Sequence, residues 1–216
     1  SYQADTVLYA TDSKATAGMV DIRAFVDSKD YLVRTVSQSP TYLLDMAQFS
    51  DHMYIAVGSA TDGRVFIYKD ALKALNSKPD VLPLPSRALV EPNPEYVSFS
   101  AIARFISVQS GSKLAVFDAE TGRQFKYDTK LSLVPGQKAV WMDGHRLTLV
   151  DTNNKLNVFD FDGTNQQTLN AALPAFQPFF DRDYNVLYTV APGEAAPALA
   201  QLNRTRLKLL PAGQSE

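Results

Sequence analysis

Residues 114–127, "LAVFDAETGRQFKY", and residues 156–169, "LNVFDFDGTNQQTL", share one pattern at a distance of 42 residues. In both stretches an apolar strand ends in Val-Phe-Asp, a turn rich in Gly, Asp and Thr follows, and a second strand begins. A turn of this composition between two strand patterns is typical of a β-hairpin. The two stretches therefore predict the same strand–turn–strand element, and with it a repeating all-β fold.

The second stretch also resembles an enzyme motif. "VFDFDGTN", residues 158–165, places Asp160 and Asp162 like the nucleophile and general acid of haloacid-dehalogenase-type phosphatases. That chemistry also needs a parallel α/β sheet and further catalytic residues downstream, but the 52 residues after Thr164 carry no helical pattern. The hairpin is therefore the preferred interpretation, and we predict neither phosphatase chemistry nor magnesium binding at Asp160.

Aromatic residues mark the repeat along the whole chain. One set, spaced by 43, 49 and 42 residues, comprises Phe25, Tyr68, Phe117 and Phe159. A second set, in which each member precedes a strand core by six residues, comprises Phe49, Phe99, Trp141 and Phe180. The long interval of the first set contains the one helical pattern, residues 70–78, where Asp70 is placed to cap the first turn. A period near 42 residues is typical of four-stranded propeller blades.

The repeat predicts an all-β fold, a β-propeller of four-stranded antiparallel blades. A single sheet cannot cover both of its faces, whereas sheets packed face to face around an axis cover one another. We expect one domain over residues 1–216, with blades near residues 2–36, 41–85, 95–130, 138–170 and 176–210. The first blade lacks a clear first strand, so the chain forms either a propeller of about five blades or the C-terminal part of a larger one.

Composition narrows the possible chemistry. The 21 Lys and Arg residues and the 23 Asp and Glu residues are interspersed, and without a basic stripe we expect no nucleic-acid partner. The chain has no cysteine, which excludes disulfides, thiolate metal sites and cysteine nucleophiles. His52 and His145 fall in turns of different blades. We therefore predict no catalytic residue, no metal ligand and no cofactor.

Two segments resemble a known family. Residues 139–169 and residues 178–192, "PFFDRDYNVLYTVAP", resemble TolB-like propeller blades, which combine an aromatic–Asp–Gly turn with a closing Asp-Gly-x-Asn hairpin. More narrowly, residues 7–192 are similar to the C-terminal propeller of PEGA-domain surface proteins from small-genome candidate-phylum bacteria. This resemblance implies an extracytoplasmic location at the cell surface and a membrane anchor upstream, which this sequence does not contain. The shared motifs are structural, so no catalytic residues are carried over.

These observations lead us to expect a non-enzymatic binding or assembly module that presents a propeller face to a protein or glycan partner. We letter the strands of a blade A to D from the axis outward; the D–A and B–C loops then share one face, and loops on rigid scaffolds carry function. The candidate binding residues in those loops are Glu91, Asn93, Glu95, Asp151, Asn153 and Glu194.

Two alternatives remain open. The propeller could be a purely structural part of a longer membrane-anchored surface protein. It could also be a hydrolase or lyase, with Glu95, Asp151 or Glu194 around the axial opening. Four aromatic residues could stack on a sugar, but their place in the repeat predicts packing between blades; they are Trp141, Phe176, Phe179 and Phe180.

Overall fold

The chain folds into five antiparallel sheets that follow one another in chain order. The computed structural model describes residues 5–79, 81–193 and 199–207. Within these ranges each sheet consists of consecutive strands that pair in sequence order, so every strand neighbour is reached by a short antiparallel connection or a single insertion. The predicted all-β propeller fold is confirmed.

Sheet A contains β1 (Val7–Asp12), β2 (Met19–Val26) and β3 (Lys29–Ser37). Sheet B contains β4 (Tyr42–Phe49), β5 (His52–Ser59), β6 (Arg64–Lys69) and β7 (Arg87–Val90), with helix α1 (Ala71–Ser77) between β6 and β7. Sheet C contains β8 (Tyr96–Phe99), β9 (Phe105–Ser110), β10 (Lys113–Asp118) and β11 (Gln124–Asp128).

Sheet D contains β12 (Val140–Trp141), β13 (Arg146–Val150), β14 (Lys155–Asp160) and β15 (Gln167–Ala171). Sheet E contains β16 (Phe179–Phe180), β17 (Val186–Pro192) and β18 (Ala200–Arg206). Sheets A and E therefore have three strands each within the described residues. In the part of the chain that the structure covers, no helix has the length and apolar character needed to cross a bilayer.

Four apolar clusters join the five sheets, one between each pair of neighbours. Side chains alternate along a strand, so a middle strand supplies two clusters at once. In β6, for example, Val65 and Ile67 pack toward sheet C, whereas Phe66 and Tyr68 pack toward sheet A. Burial on both faces explains why these strands are almost continuously apolar.

Three of the four aromatic residues in the first set occupy one structural position. Tyr68, Phe117 and Phe159 are each the penultimate residue of the third strand of a four-stranded sheet, whereas Phe25 is the penultimate residue of the second strand of sheet A. Tyr68, Phe117 and Phe159 are buried in the cluster that joins their own sheet to the preceding one. The repeat in the sequence is thus a repeat of the inter-sheet contact.

Helix α1 lies at the expected insertion, but the predicted cap is wrong. Asp70 has a left-handed backbone with φ of 55°, and its side chain forms no capping hydrogen bond. Its carboxylate instead lies 2.5 Å from Nδ1 of His52 and accepts a hydrogen bond from the backbone N–H of Met53 (3.2 Å). Leu75 of the helix is buried between sheets A and B, so packing rather than capping holds the helix.

The two stretches with the shared sequence pattern form C–D hairpins at the same place in their sheets, with turns that differ in length by one residue. The N–H of Gly122 donates to the carbonyl of Asp118 (2.8 Å), and the N–H of Gly163 donates to the carbonyl of Asp160 (2.9 Å). Both glycines have positive φ, 72° and 85°, which residues with a side chain adopt poorly. Asp160 ends a strand of an antiparallel sheet, and the hairpin prediction for "VFDFDGTN" is confirmed.

Candidate axial binding site

Two cavities lie against the inner strands. Strand β4 runs beside β8 of the next sheet and beside β1 of the preceding one, which places these strands nearest the axis. A cavity of about 320 Å³ lies between β8 and the segment around β12, and its lining includes Ser98, Lys138, Trp141 and Gln177. A second cavity, of about 260 Å³, lies between β1 and β4 and is lined in part by Asp45. We refer to the two cavities together as the axial site.

Asp45 lines the second cavity and is hydrogen-bonded to Phe99, which lines the first. Its carboxylate accepts hydrogen bonds from the backbone N–H of Met46 (2.9 Å) and from that of Phe99 in the neighbouring sheet (3.2 Å). Burial raises the pKa of Asp45; the two backbone hydrogen bonds and the charge of Lys138 act in the opposite direction and offset only part of this effect. A carboxyl group with a perturbed pKa beside a cavity is a functional-site candidate.

Lys138 is presented to the axial site by a fixed loop. The buried side chain of Gln109 donates from Nε2 to the carbonyl of Gln137 (2.8 Å) and accepts from the N–H of Ala139 (2.7 Å). These bonds hold the residues on both sides of Lys138 against sheet C. The Lys138 ammonium lies 5.8 Å from the ring centre of Tyr96, within reach of a cation–π interaction. The positive charge therefore has a defined location.

Trp141 forms part of the cavity wall and part of the core. Its Nε1 donates to Oγ of Ser98 (3.1 Å), and its ring is stacked with the buried ring of Phe105, with 6.2 Å between ring centres. Both partners belong to sheet C. Trp141 thus packs between blades, as the repeat predicted, and its ring is engaged rather than free to stack on a ligand.

The candidate residues of the loop between β7 and β8 differ in burial. Glu91 is fully buried, with Oε1 3.1 Å from Nζ of Lys126 but without a well-aligned hydrogen bond. It therefore cannot touch a partner at the surface. Asn93 and Glu95 are exposed, and Asn93 has a left-handed backbone with φ of 48°.

The candidate residues of the later loops also differ in role. The Asp151 carboxylate closes its own turn, because it accepts from the N–H groups of Asn153 and Lys155, both at 2.9 Å. Asn153 is exposed. Glu194 lies outside the residues that the structure describes.

The two histidines have separate surroundings. His52 pairs with Asp70 in sheet B, and the ring of His145 packs edge-on against Phe105, with 5.6 Å between ring centres. Among residues 5–79, 81–193 and 199–207, no three His, Asp or Glu side chains are grouped as metal ligands would be.

Sequence reasoning missed the axial residues Asp45, Lys138 and Gln177. One signal was present for Asp45, which interrupts the otherwise mostly apolar strand pattern "YLLDMAQF" of β4. An acidic residue inside a strand that faces other sheets is unusual enough to mark a functional position. Lys138 and Gln177 carry no comparable signal, because loops are commonly polar.

We expect Asp45→Asn to stabilise the protein at neutral pH by roughly 0.5–1 kcal/mol. The folded pKa of Asp45 is raised above its unfolded value, so its favourable contribution exists at low pH and is lost as the pH rises through the folded pKa. Asn keeps an oxygen acceptor for the N–H of Phe99 but carries no charge. Urea unfolding at pH 7 and at pH 3 measures the effect; a variant less stable than the native protein at pH 7 would contradict this interpretation.

No protein-family model matches the chain, and no curated protein sequence matches it. Among solved structures, the C-terminal WD40 domain of Sif2 is similar over 92% of this chain and 54% of its own, with 9% identity and a TM-score of 0.51. A putative 6-phosphogluconolactonase from Bacteroides uniformis is similar over 96% and 70%, with 13% identity and a TM-score of 0.51.

A chain of the mitotic checkpoint complex is similar over 95% of this chain and 62% of its own, with 12% identity and a TM-score of 0.50. The chain thus spans 54% to 70% of the length of these three structures. At these identities the likeness shows the propeller fold and nothing finer.

Proposed function

We propose that this propeller is a binding module that holds a segment of a partner protein at the axial site. The observation that carries the proposal is the placement of two opposite charges, Asp45 and Lys138, each lining one of two cavities of the inner strands. Both groups are held by backbone that belongs to the sheets or is bonded to them. Such pre-ordered polar groups lower the entropy lost on binding.

The size of the cavities favours a protein segment over a small molecule. Volumes of about 320 and 260 Å³ are at or below the lower end of the range for drug-sized ligands. Each cavity accommodates one or two side chains of a larger partner: an acidic one beside Lys138 and a hydrogen-bond donor beside Asp45. A glycan partner is less well served, because the ring of Trp141 is already stacked on Phe105.

Binding rather than catalysis is the function that we propose. Of the acidic residues considered for a hydrolase or lyase, Asp151 is committed to its turn and Glu95 is exposed on a loop. Two of the similar structures, the WD40 domain of Sif2 and the mitotic checkpoint complex chain, are by their names a propeller domain and a member of a protein assembly.

For the location we propose the cell surface, outside the cytoplasm. The support is the sequence resemblance of residues 139–169 and 178–192 to TolB-like blades, and of residues 7–192 to PEGA-domain surface proteins. A membrane anchor upstream belongs to the same proposal. Protease treatment of intact cells, with detection of the propeller by antibody, tests the location.

The binding proposal is tested with a phage-displayed random peptide library selected against the native chain. We expect Lys138→Glu to weaken the selected peptides at least tenfold, which corresponds to about 1.4 kcal/mol, and Asp45→Asn to weaken those that carry a basic side chain. Lys69→Glu is the matched control, because Lys69 is exposed at the end of β6 and lines neither cavity.

Two results would count against the proposal. Peptides that bind all three variants equally place the binding surface elsewhere. If glycans on an array bind in a way that depends on Lys138, and no peptide does, the partner is a carbohydrate and not a protein.

A further inference from the structure

Among the residues that the structure describes, sheets A and E each have one face that no other sheet covers. Five sheets in chain order form four inter-sheet clusters, and within residues 5–79, 81–193 and 199–207 no hydrogen bond or ion pair joins sheet A to sheet E. The uncovered face of sheet A carries Val7 and Phe25, which are register partners. We call this uncovered face of sheet A face A, and we call the uncovered face of sheet E face E.

Face A points to the side on which sheets B, C and D are covered by the sheet before them. Tyr68, Phe117 and Phe159 are 1%, 5% and 1% exposed, because each is covered by the preceding sheet. Phe25 lies on the second strand of sheet A, points away from sheet B and is 44% exposed, and its partner Val7 is 57% exposed. Face A therefore corresponds to the side with which sheets B, C and D contact the sheet before them.

Face E corresponds to the side with which the other sheets contact the sheet after them. Leu187 of β17 packs toward sheet D, so its neighbours Tyr188 and Val190 point away from that sheet. Their register partners are Phe179 and Leu202, which are 65% and 70% exposed. Cross-strand partners share a face, so these four side chains form one apolar patch.

We propose that face E of one copy of this chain packs on face A of a second copy. Both halves of the contact that joins the sheets inside the chain are present on the same molecule and uncovered. An apolar patch of this kind on a soluble protein marks an interaction surface. The new contact continues the existing series of sheet-on-sheet contacts in the same order and with the same kind of residue.

The charges of the two faces also fit. On face A, Arg23 pairs with Asp30 (2.8 Å), and Asp21 of the same strand leaves a net negative charge. On face E, the exposed Arg204 lies opposite Tyr188 in register. A negative face meeting a positive one favours the head-to-tail pairing of E with A over the pairing of two identical faces.

Because the two faces differ, the interface is heterologous. Such contacts give a closed ring of copies if the rotation between copies closes, and an open filament if it does not. The chain spans 54% to 70% of the length of the three similar propeller structures.

The test is sedimentation velocity of the native chain between about 1 and 100 μM, a range that covers interfaces of ordinary strength. We expect concentration-dependent assembly. We expect Phe25→Asp and Leu202→Asp each to raise the protein concentration at half-assembly at least tenfold. Leu84→Asp is the matched control, since Leu84 is 91% exposed and lies on neither face. Circular dichroism melts verify that the variants are folded.

Mixing the Phe25→Asp and Leu202→Asp variants tests whether faces A and E bind each other. Phe25→Asp keeps an intact face E and Leu202→Asp keeps an intact face A, so a mixture of the two variants should form a dimer with one copy of each and nothing larger. A native chain that stays monomeric throughout overturns the proposal and leaves the two faces to a different polypeptide. Assembly that survives in either single variant, or that Leu84→Asp abolishes equally, overturns it as well.

Discussion

Gly163→Val is expected to lower the free energy of unfolding by about 4 kcal/mol, at the upper end of what one substitution does. Two costs add at this position. The backbone has φ of 85°, which a β-branched residue adopts at a cost of roughly 1–3 kcal/mol. A Cβ atom there would also lie 2.5 Å from Cγ and 2.6 Å from Cδ2 of Tyr127. These ring atoms cannot swing away freely, because the ring packs edge-on against Phe159.

The equivalent hairpin supplies the control. Gly122 has φ of 72° but open space around a Cβ atom, so Gly122→Val should lose only about 1–2 kcal/mol. Urea unfolding of both variants measures the difference, which isolates the contact with Tyr127. Equal losses at the two glycines would contradict the steric argument. Gly163→Val in a Tyr127→Ala background should recover part of the loss, because the two closest ring atoms are then absent.

Asp118→Asn is expected to lower the free energy of unfolding by about 3 kcal/mol, as breaking a buried ion pair does. The Asp118 side chain is buried and accepts two hydrogen bonds from Arg104, at 2.9 and 2.7 Å, in a bidentate arrangement. It also accepts from Oγ1 of Thr121 (2.9 Å) and from the N–H of Glu120 (2.9 Å). The substitution leaves the guanidinium of Arg104 with Glu120 as its remaining acidic partner.

The control is Asp160→Asn at the matching hairpin position. Asp160 is less buried, and its carboxylate accepts one side-chain hydrogen bond, from Asn165 (2.6 Å). We expect a change within about 0.5 kcal/mol. The Asp160→Asn variant also tests the phosphatase-like motif. If the native protein hydrolyses p-nitrophenyl phosphate and Asp160→Asn does not, the phosphatase interpretation is restored. Comparable losses for the two aspartates would refute the importance of the Arg104 pair.

The pair should also show in the pH dependence of stability. Burial alone would raise the pKa of Asp118, but the hydrogen bonds from Arg104 and Thr121 outweigh it and hold the pKa below its ordinary value. A depressed folded pKa contributes stability above the unfolded pKa, near 3.9, and this contribution is lost as the pH falls through the folded pKa. We therefore expect the native protein to lose stability below about pH 4 more steeply than Asp118→Asn does.

The fold was largely predictable because its signals are local. Strand alternation, the Val-Phe-Asp turns and the spacing of Phe117 from Phe159 depend on residues within one or two blades. The same locality made the hairpin interpretation of Asp160 secure, since the neighbouring repeat at Asp118 supplied a second example. Helix α1 was also visible, as an insertion that lengthens one period.

The site was not predictable, because its partners are distant in sequence. Asp45 accepts from the N–H of Phe99, 54 residues away, and no local pattern announces that pairing. Glu91 appeared to be a surface loop residue, yet Lys126 of the next sheet covers it. Asp70 failed as a helix cap for the same reason, since His52 and Met53 compete for its carboxylate.

The pairing of strands in sequence order also has a kinetic meaning. Each sheet closes through connections between consecutive strands, so loop-closure entropy stays small at every step. A sheet can form as soon as its own segment is available, and the next sheet then docks on a surface that already exists. Folding can thus begin at any sheet and spread along the chain, as in repeat proteins. During synthesis the sheets can fold in chain order, beginning with sheet A, as each leaves the ribosome.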